Sequence, residues 1–311
     1  MKSATPAVGP EAIPLPRSRA ADYLELTKPR VAVLVLFTVA AGAWLGAQGE
    51  PDLAALLHAV IGTALVAAGA SALNQLLERH TDPLMRRTEN RPLPAGRLQP
   101  AQVLLFGLGL GAGGLAYLAV LVRQPLAVAV AAFTFAAYVL VYTPLKRKTS
   151  LNTLVGAVPG ALPPVIGWVA VRGSVGPEAV ALFLILFLWQ VPHFLAIAWI
   201  YRDDYARAGL RMLPVGDRGG GMTGRQMVNY SFVLIPVSLA PVFLGRAGPV
   251  YLAGALLLGG YFFASTLAFL RASSVARARR VLRASLVYLP ALLALLLVDG
   301  LLSPLVQAGP P

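Results

Sequence analysis

Leu53-Ala-Ala-Leu-Leu-His-Ala-Val-Ile-Gly-Thr-Ala-Leu-Val-Ala-Ala-Gly-Ala-Ser-Ala-Leu-Asn74-Gln-Leu-Leu-Glu78-Arg-His-Thr-Asp82 is the stretch that decides the fold. Its first part, residues 53–73, is apolar over a length that lets a helix cross a lipid bilayer. Its last part is polar. Asn74, Glu78 and Asp82 recur every four residues, so on a helix they share one face. Because oxygen ligands suit a hard cation such as Mg²⁺, the sequence predicts a membrane helix that ends in a metal site formed by Glu78 and Asp82.

Apolar runs of this kind recur along the whole chain. Of its 311 residues, 57% are hydrophobic and only 13% are charged, which is more apolar surface than a soluble domain of this length can bury. We predict an all-α polytopic membrane protein, because helices satisfy backbone hydrogen bonds within lipid. The absence of cysteine excludes disulfides, thiolate metal sites and cysteine nucleophiles. Nine spans are predicted, at about residues 31–49, 53–73, 100–121, 125–143, 150–171, 178–200, 226–245, 248–270 and 281–302.

The basic residues are distributed unevenly between alternate loops. The net charge of +13 could suggest a nucleic-acid partner, but of the 26 Lys and Arg residues only Arg123, Arg172 and Arg246 fall on the side opposite the N-terminus. The positive-inside rule therefore predicts a cytoplasmic N-terminus and an outer C-terminus in the inner (plasma) membrane, with no nucleic-acid partner. Residues 1–25 lack a signal-peptide core and are predicted to be a mobile cytosolic tail, followed by one membrane domain over residues 26–305.

A short motif occurs twice, 120 residues apart. Arg91-Pro-Leu-Pro-Ala-Gly96 and Arg211-Met-Leu-Pro-Val-Gly216 both have the form Arg-x-Leu-Pro-x-Gly, and each follows acidic residues. Four spans separate the two motifs, so they have the same orientation in the membrane. We predict a parallel repeat of spans 1–4 and 5–8, with span nine added, and such repeats often place a site at their interface.

The end of the sixth span carries a second polar group. If the helix is continuous from Pro192, Asp204 lies three turns from His193 on one stripe, whereas Asp203 is turned away. Asp204 is therefore the better candidate for a third metal ligand. We expect Pro192 to kink the helix or to start a fresh turn. An ionisable residue at membrane depth, such as His193, is a candidate functional residue, although a hydrogen-bonded core histidine is the alternative.

Basic side chains follow the acids closely in the sequence. Guanidinium and ammonium groups bind phosphate oxygens, so these residues could hold a diphosphate. They could equally act only as signals for orientation in the membrane. The residues predicted to bind a diphosphate are Arg86, Arg87, Arg91, Lys146, Arg147 and Arg202.

At these positions the chain resembles the UbiA-type intramembrane prenyltransferases. The family signature Asn-x-x-x-Asp-x-x-x-Asp is matched by Asn74, Glu78 and Asp82, with Glu in place of the first Asp. The family often has a second Asp-x-x-x-Asp, but the residue four positions after Asp204 is Ala208. The first motif is therefore the stronger candidate for the metal site. Longer motifs resemble those of members that farnesylate haem: Arg87-Thr-Glu-Asn-Arg91-Pro-Leu-Pro-Ala-Gly96, Tyr142-Thr-Pro-Leu-Lys146-Arg147, Pro159-Gly-Ala-Leu-Pro-Pro-Val-Ile-Gly-Trp168, Trp189-Gln-Val-Pro-His193-Phe194 and the segment from Tyr201 to Pro214.

The resemblance implies a helical barrel of nine spans with a polar cap at the cytoplasmic end. It also implies transfer of a farnesyl group from farnesyl diphosphate to haem b within membrane lipid, with Mg²⁺ as cofactor and Asn74, Glu78, Asp82 and Asp204 as catalytic residues. His193 could then bind the haem, since imidazole is a common iron ligand. Two alternatives remain open at this point: a prenyltransferase that acts on a quinone or chlorin ring, and a secondary transporter for an anionic or haem-like molecule.

Overall fold

A computed structural model describes residues 18–47 and 52–307, with side chains up to residue 299. Over these ranges the chain is helical and contains no strand. The described residues contain nine helices that are long and apolar enough to cross a membrane, which confirms the predicted fold class. These spans are Pro29–Ala47, Leu53–Leu77, Pro100–Val122, Pro125–Leu145, Asn152–Arg172, Pro177–Ile200, Gly221–Phe243, Pro249–Arg271 and Val275–Asp299.

The described residues form fifteen α-helices, of which α1, α10 and α11 lie outside the spans and some of the others share one span. Leu118–Val122 and Ala137–Tyr142 are π-helical turns that continue α4 and α5, and Asp82–Leu84 is a short 3₁₀ helix. The α-helices are α1 (Arg19–Leu26), α2 (Pro29–Ala47), α3 (Leu53–Leu77), α4 (Pro100–Tyr117), α5 (Pro125–Ala136), α6 (Thr143–Leu145), α7 (Asn152–Ala161), α8 (Pro163–Arg172), α9 (Pro177–Ile200), α10 (Arg202–Arg207), α11 (Leu213–Gly216), α12 (Gly221–Ser238), α13 (Ala240–Phe243), α14 (Pro249–Arg271) and α15 (Val275–Gln307).

The structure differs from the sequence prediction at both ends of the chain. Residues 19–25, predicted as tail, belong to α1, whose Asp22 is buried against Arg97. The rest of the predicted tail, residues 1–17, lies outside the described residues. The last helix begins at Val275 rather than at residue 281, because its first turns carry arginines that the hydropathy pattern assigns to a loop.

Prolines interrupt the fifth span but not the sixth. Pro163 and Pro164 supply no backbone N–H, so the fifth span is divided at Leu162 into α7 and α8. Pro192, in contrast, lies inside an unbroken α9. The chain leaves that helix only at Tyr201, so the predicted continuous helix from Pro192 to Asp204 is wrong.

Two glycines allow α2 and α8 to touch through their backbones. A Cβ atom on Gly42 would lie 2.0 Å from the carbonyl oxygen of Pro164, and one on Gly167 would lie 2.0 Å from that of Val39. Only a residue without a side chain fits such a crossing, which is a common way for membrane helices to pack without a hydrophobic driving force. The first span is therefore fixed closely against the second half of the fifth.

The loops after the second, fourth and sixth spans meet at one end of the helical bundle. The backbone N–H of Arg211 donates to the Lys146 carbonyl at 2.8 Å, and the Asn152 side-chain amide donates to the Arg211 carbonyl at 2.9 Å. Together with α10 these loops form a polar cap, whose small apolar core includes Met85 and Met212. Three of the loops that were predicted to lie on the same side of the membrane therefore meet in the fold.

The glycine crossing yields a stability prediction. Gly167→Ala should lower the free energy of unfolding by about 1–3 kcal/mol, because its methyl group meets the Val39 carbonyl and the helices must separate. Gly109→Ala is the matched control, since its Cβ atom would have no neighbour within 4 Å. Unfolding by SDS in mixed micelles, followed by tryptophan fluorescence, measures both variants. Equal midpoints for the two would contradict the packing argument.

Candidate active site

Asn74, Glu78 and Asp82 remain in helical register although α3 ends at Leu77. The backbone N–H of Glu78 donates to the Asn74 carbonyl at 3.0 Å, and the N–H of Asp82 donates to the Glu78 carbonyl at 2.9 Å. The four-residue repeat thus continues past the helix end. Asn74, Glu78 and Asp82 are 1%, 8% and 0% exposed, whereas His80 between them is exposed. The structure therefore brings together the three residues of the first predicted motif.

Three basic side chains converge on these residues. Arg91 Nη1 donates to both oxygens of Asp82, at 2.8 and 2.7 Å, and lies 3.7 Å from Glu78 Oε2. Lys146 Nζ lies 2.6 Å from Glu78 Oε1. Lys28 Nζ donates to Asn74 Oδ1 at 3.0 Å. We call these six residues, which come from the ends of three spans and a loop, the polar cluster.

Lys28 is the member of the polar cluster that the sequence analysis missed. It lies between α1 and α2 with a φ of +50°, a left-handed conformation that is uncommon for a residue with a side chain. Pro29 begins α2 directly after it. Its place immediately before the proline that starts a membrane helix is the only signal in the sequence, because a basic residue near a span end otherwise indicates only orientation.

A π-helical turn places Lys146. The fourth span changes from α-helix to π-helix over Ala137–Tyr142 and then continues as α6. Within this segment Thr143 accepts a hydrogen bond from the Asn74 side-chain amide at 3.1 Å, and Lys146 follows within one turn. The Lys146 ammonium also lies 4.6 Å from the centre of the Tyr142 ring. Such turns occur frequently at functional sites.

The electrostatics of the Glu78–Lys146 pair keep both groups charged. Burial alone would raise the pKa of the Glu78 carboxyl, but Lys146, Lys28 and Arg91 together lower that pKa to about 2. Burial disfavours the charge of Lys146, yet the neighbouring Glu78 carboxylate raises the pKa of Lys146 above its ordinary value. The pair is therefore ionised at neutral pH.

Lys28 and Asp82 carry charges that their surroundings oppose. Burial, with help from Arg91, lowers the pKa of Lys28 to about 7. Burial also raises the pKa of Asp82, and the Arg91 guanidinium acts in the opposite direction. The polar cluster contains three basic side chains and two carboxylates, so an anion that enters it would meet an excess of positive charge and would favour protonated Lys28.

The second acidic group lies apart from the polar cluster. Asp204 forms an ion pair with Arg207, and its side chain is 14% exposed, whereas that of Asp203 is 87% exposed. The predicted order of burial is present even though the helix is broken between His193 and these residues. Asp203 and Asp204 line a polar surface pocket together with Arg86 and Arg87.

The three predicted metal ligands are not assembled. Among the residues that the structure describes, no group of three or more His, Asp or Glu side chains lies close enough to hold a metal ion. The physical reason is that each acid already has a basic partner: Glu78 has Lys146, Asp82 has Arg91, and Asp204 has Arg207. In this arrangement Glu78 and Asp82 are linked through Arg91, and Asp204 is separate.

The predicted phosphate-binding residues divide into two groups. Arg91 and Lys146 belong to the polar cluster. Arg87 packs over the rings of Tyr201 and Tyr205, at 5.3 and 5.9 Å, and donates to the Tyr205 hydroxyl. The others lie outside the cluster: Arg86 beside the second acidic group, Arg147 at the exposed surface, and Arg202 over the Trp199 ring.

Two apolar cavities share part of their lining, and one of them reaches the polar cluster at Lys28. The α3 cavity, of about 170 Å³, has Lys28 at its rim and is lined by Thr63, Ala67 and Ser71 of α3. The His193 cavity, of about 290 Å³, contains His193 and Tyr142. Val31, Val35, Tyr138 and Gly160 line both cavities. Ligands in the two cavities would therefore contact the same four residues.

Comparison of sequences identifies relatives that match nearly the full length. The sequence pattern of the UbiA prenyltransferase family matches residues 35–299. A curated relative from Solibacter usitatus, named protoheme IX farnesyltransferase, is 48% identical over 287 residues, which is 89% of this chain and 98% of the relative.

Comparison of structures gives the same fold. A digeranylgeranylglyceryl phosphate synthase superposes with a TM-score of 0.76 at 18% identity, covering 90% of this chain and 98% of that one. A UbiA homologue from Archaeoglobus fulgidus, solved with GPP and Mg²⁺ bound, superposes with a TM-score of 0.59 at 17% identity, covering 88% and 99%.

The lowered pKa of Lys28 predicts a pH-dependent stability. In the unfolded chain lysine keeps its proton up to about its ordinary pKa of 10.5, whereas folded Lys28 loses it above about 7. Between these values the unfolded state binds more protons, so the folded state should gain stability as the pH rises from 7 to 10. Thermal unfolding in detergent with EDTA measures this gain, which Lys28→Met should remove.

Lys148→Met serves as the control for that experiment, because Lys148 is an exposed lysine at the same end of the bundle. It should keep the pH dependence of the unsubstituted protein. A Lys28→Met variant whose stability rises with pH as steeply as that of Lys148→Met would show that Lys28 is protonated normally in the folded state.

Proposed function

The chain belongs to the UbiA prenyltransferase family, and on this premise we propose that it transfers the farnesyl group of farnesyl diphosphate to the vinyl group of haem b. The products are haem O and diphosphate. The protein is a multi-pass membrane protein, which suits a donor with a long apolar chain. The near full-length similarity to a protoheme IX farnesyltransferase supports this donor and this acceptor over a quinone or chlorin ring.

One observation about the site carries the proposal. Lys28 lines the α3 cavity, while its ammonium group is hydrogen-bonded to Asn74 in the polar cluster. The polar cluster and an apolar cavity therefore open onto each other at a single residue. A prenyl diphosphate has this same division, with a charged group at one end of an apolar chain. Its diphosphate fits the cluster when its chain enters the cavity.

The oxygen atoms of the polar cluster are of the types that a magnesium ion prefers, although both carboxylates are paired with basic side chains in this structure. Asn74, Glu78 and Asp82 offer one amide and two carboxylate groups, the ligand types that hard cations prefer. We propose that these residues would hold Mg²⁺ in place of the ion pairs that Glu78 and Asp82 form with Lys146 and Arg91. Asp204, which is separate in this arrangement, would add a further oxygen only after α10 approaches the polar cluster. When bound, the ion supplies positive charge that neutralises diphosphate oxygens. The solved relative with GPP and Mg²⁺ shows that this fold accommodates both.

The side chains of this protein contribute to the chemistry in two ways. Lys28, Arg91 and Lys146 provide fixed positive charge where the leaving diphosphate gains negative charge, which lowers the barrier to breaking its bond to the farnesyl C1 atom. Arg86, Arg87, Arg147 and Arg202, at the rim, attract the diphosphate as it approaches. The apolar side chains of the α3 cavity keep water away from the allylic cation until the acceptor reacts.

The acceptor site is the His193 cavity. Tyr138 and Gly160 belong to both cavities, so a vinyl group there lies next to the reacting end of the donor. The C–O bond of farnesyl diphosphate breaks, with its electrons passing to diphosphate. The vinyl carbon then forms a C–C bond with farnesyl C1, water adds to the resulting cation, and one proton is released. His193 binds the haem iron from the wall of this cavity.

The orientation of the protein in its membrane follows from charge. The polar cap gathers three loops that are rich in Lys and Arg, and the positive-inside rule places such loops in the cytoplasm. We propose that the N-terminus is cytoplasmic, that the C-terminus is outside, and that the membrane is the inner (plasma) membrane. Lipid then surrounds the nine spans, and farnesyl diphosphate reaches the cluster from the cytoplasm.

Mass analysis of haem tests the function directly. Membranes containing the protein should convert haem b to haem O when farnesyl diphosphate and Mg²⁺ are supplied. Glu78→Gln and Asp82→Asn should each reduce the rate about 100-fold or more, because each removes a carboxylate that would hold Mg²⁺, and with it positive charge at the leaving group. Glu89→Gln, at an exposed acid of the same loop, should leave the rate unchanged.

The same assay examines the second acidic group. Asp204→Asn should slow transfer more than Asp203→Asn, because Asp204 is the enclosed member of the pair.

Near-normal rates for both Glu78→Gln and Asp82→Asn at saturating Mg²⁺ would remove the polar cluster from the mechanism. A modified ring other than haem O would assign a different acceptor.

A separate experiment distinguishes acceptor binding from donor binding. His193→Ala should weaken binding of haem b and leave the affinity for farnesyl diphosphate nearly unchanged, because His193 lies on the wall of the other cavity. Haem absorbance and equilibrium binding of a non-hydrolysable donor analogue measure the two affinities. Lost donor binding together with an unchanged haem spectrum would place His193 on the donor side.

A further inference from the structure

Ser285 of α15 holds the two aromatic side chains that wall one end of the His193 cavity. Its hydroxyl oxygen lies 2.8 Å from His193 Nδ1, and its backbone carbonyl accepts a hydrogen bond from Trp189 Nε1 at 2.8 Å. Ser285 itself has no exposed surface. A single residue of the last span therefore fixes two side chains of the sixth.

The hydrogen bonds define which nitrogen of His193 carries the proton. The Ser285 hydroxyl has one proton, and it donates this proton to the Leu282 carbonyl at 2.7 Å. Towards His193 it can then act only as an acceptor, so Nδ1 of the imidazole must carry the hydrogen. The other ring nitrogen, Nε2, is left with a free lone pair. It has no hydrogen-bond partner within the part of the chain that the structure describes.

The ring is also held in a fixed plane. The Trp189 indole stacks on the imidazole of His193 with a centroid separation of 4.8 Å and an angle of 26° between the planes. Because Ser285 binds both rings, neither can rotate without breaking a hydrogen bond. His193 is only partly buried and lines the cavity, whereas its Nδ1 edge faces fully buried Ser285.

We infer that Ser285 is a positioning residue, which holds His193 as the Nδ1–H tautomer so that Nε2 can bind the iron of the haem substrate. The inference rests on the proposed function, since it requires haem in this cavity. A histidine that ligates a metal usually donates its other N–H to an acceptor, which fixes the tautomer and makes the ligating nitrogen a stronger donor. Ser285 occupies the place of that acceptor.

Haem binding without transfer tests this role. The full chain in lipid nanodiscs is titrated with haem b in the absence of farnesyl diphosphate and Mg²⁺. Ser285→Ala should weaken binding by about 10- to 100-fold. It should also lower the Fe–histidine stretching frequency of the ferrous complex in resonance Raman spectra. Ser285→Thr, which keeps the hydroxyl, should restore both values.

Ser265→Ala is the matched control. Ser265 is a buried serine of α14 whose hydroxyl likewise donates to the carbonyl three residues earlier, but it has no histidine partner. Its removal should change neither the affinity nor the frequency. In a His193→Ala background, Ser285→Ala should cause no further loss of haem affinity, because the two residues act as one unit.

The outcomes separate this inference from the proposed function. Equal affinity and frequency for Ser285→Ala and the unsubstituted protein would overturn it, and so would an undiminished effect of Ser285→Ala in the His193→Ala background. An unsubstituted protein without any Fe–histidine band would overturn it as well. The proposed function is tested separately, by mass analysis of the conversion of haem b to haem O, and none of these three results decides it.

Discussion

The contact of Arg91 Nη1 with both carboxylate oxygens of Asp82 is the interaction on which the site depends. Asp82 has no exposed surface, and a carboxylate buried next to apolar helices is stable only with a charged partner of good geometry. Arg91 provides this partner and also lies near Glu78, so the loop after the second span is drawn back over the end of α3. Without it the buried Asp82 carboxylate would lose its charged partner.

The same interaction connects the polar cap to the cavities below it. Glu78, held in place beside Arg91, binds Lys146 at the end of the fourth span, and Asn74 one turn earlier binds Lys28 at the start of the first. Each contact brings a basic residue from a different span to one point. The positive charge that a leaving diphosphate needs is thereby in place before any substrate arrives, and no further reorganisation is required when the bond breaks.

Local sequence was sufficient for much of this architecture. Helix length and apolar composition identified the nine spans, and the four-residue spacing placed Asn74, Glu78 and Asp82 together even though the helix ends among them. Contacts between distant segments could not be obtained in this way. Lys28 is 46 residues from its partner Asn74, and Ser285 is 92 residues from His193. The sequence also does not show which basic side chain pairs with each acid. Asp204 is visibly acidic, but its ion pair with Arg207 appears only in the structure.

The glycine crossing of α2 and α8 has a consequence for how substrates enter. Helices that touch through their backbones at Gly42 and Gly167 cannot part or slide without losing the whole contact. The first span also supplies Val31 and Val35 to both cavities, so the crossing holds the helix that carries two of the shared wall residues. Any lateral opening that admits lipid-dissolved molecules must therefore arise from helices on other sides of the barrel. Part of the wall between the two reactants therefore belongs to a helix that is held by close backbone packing.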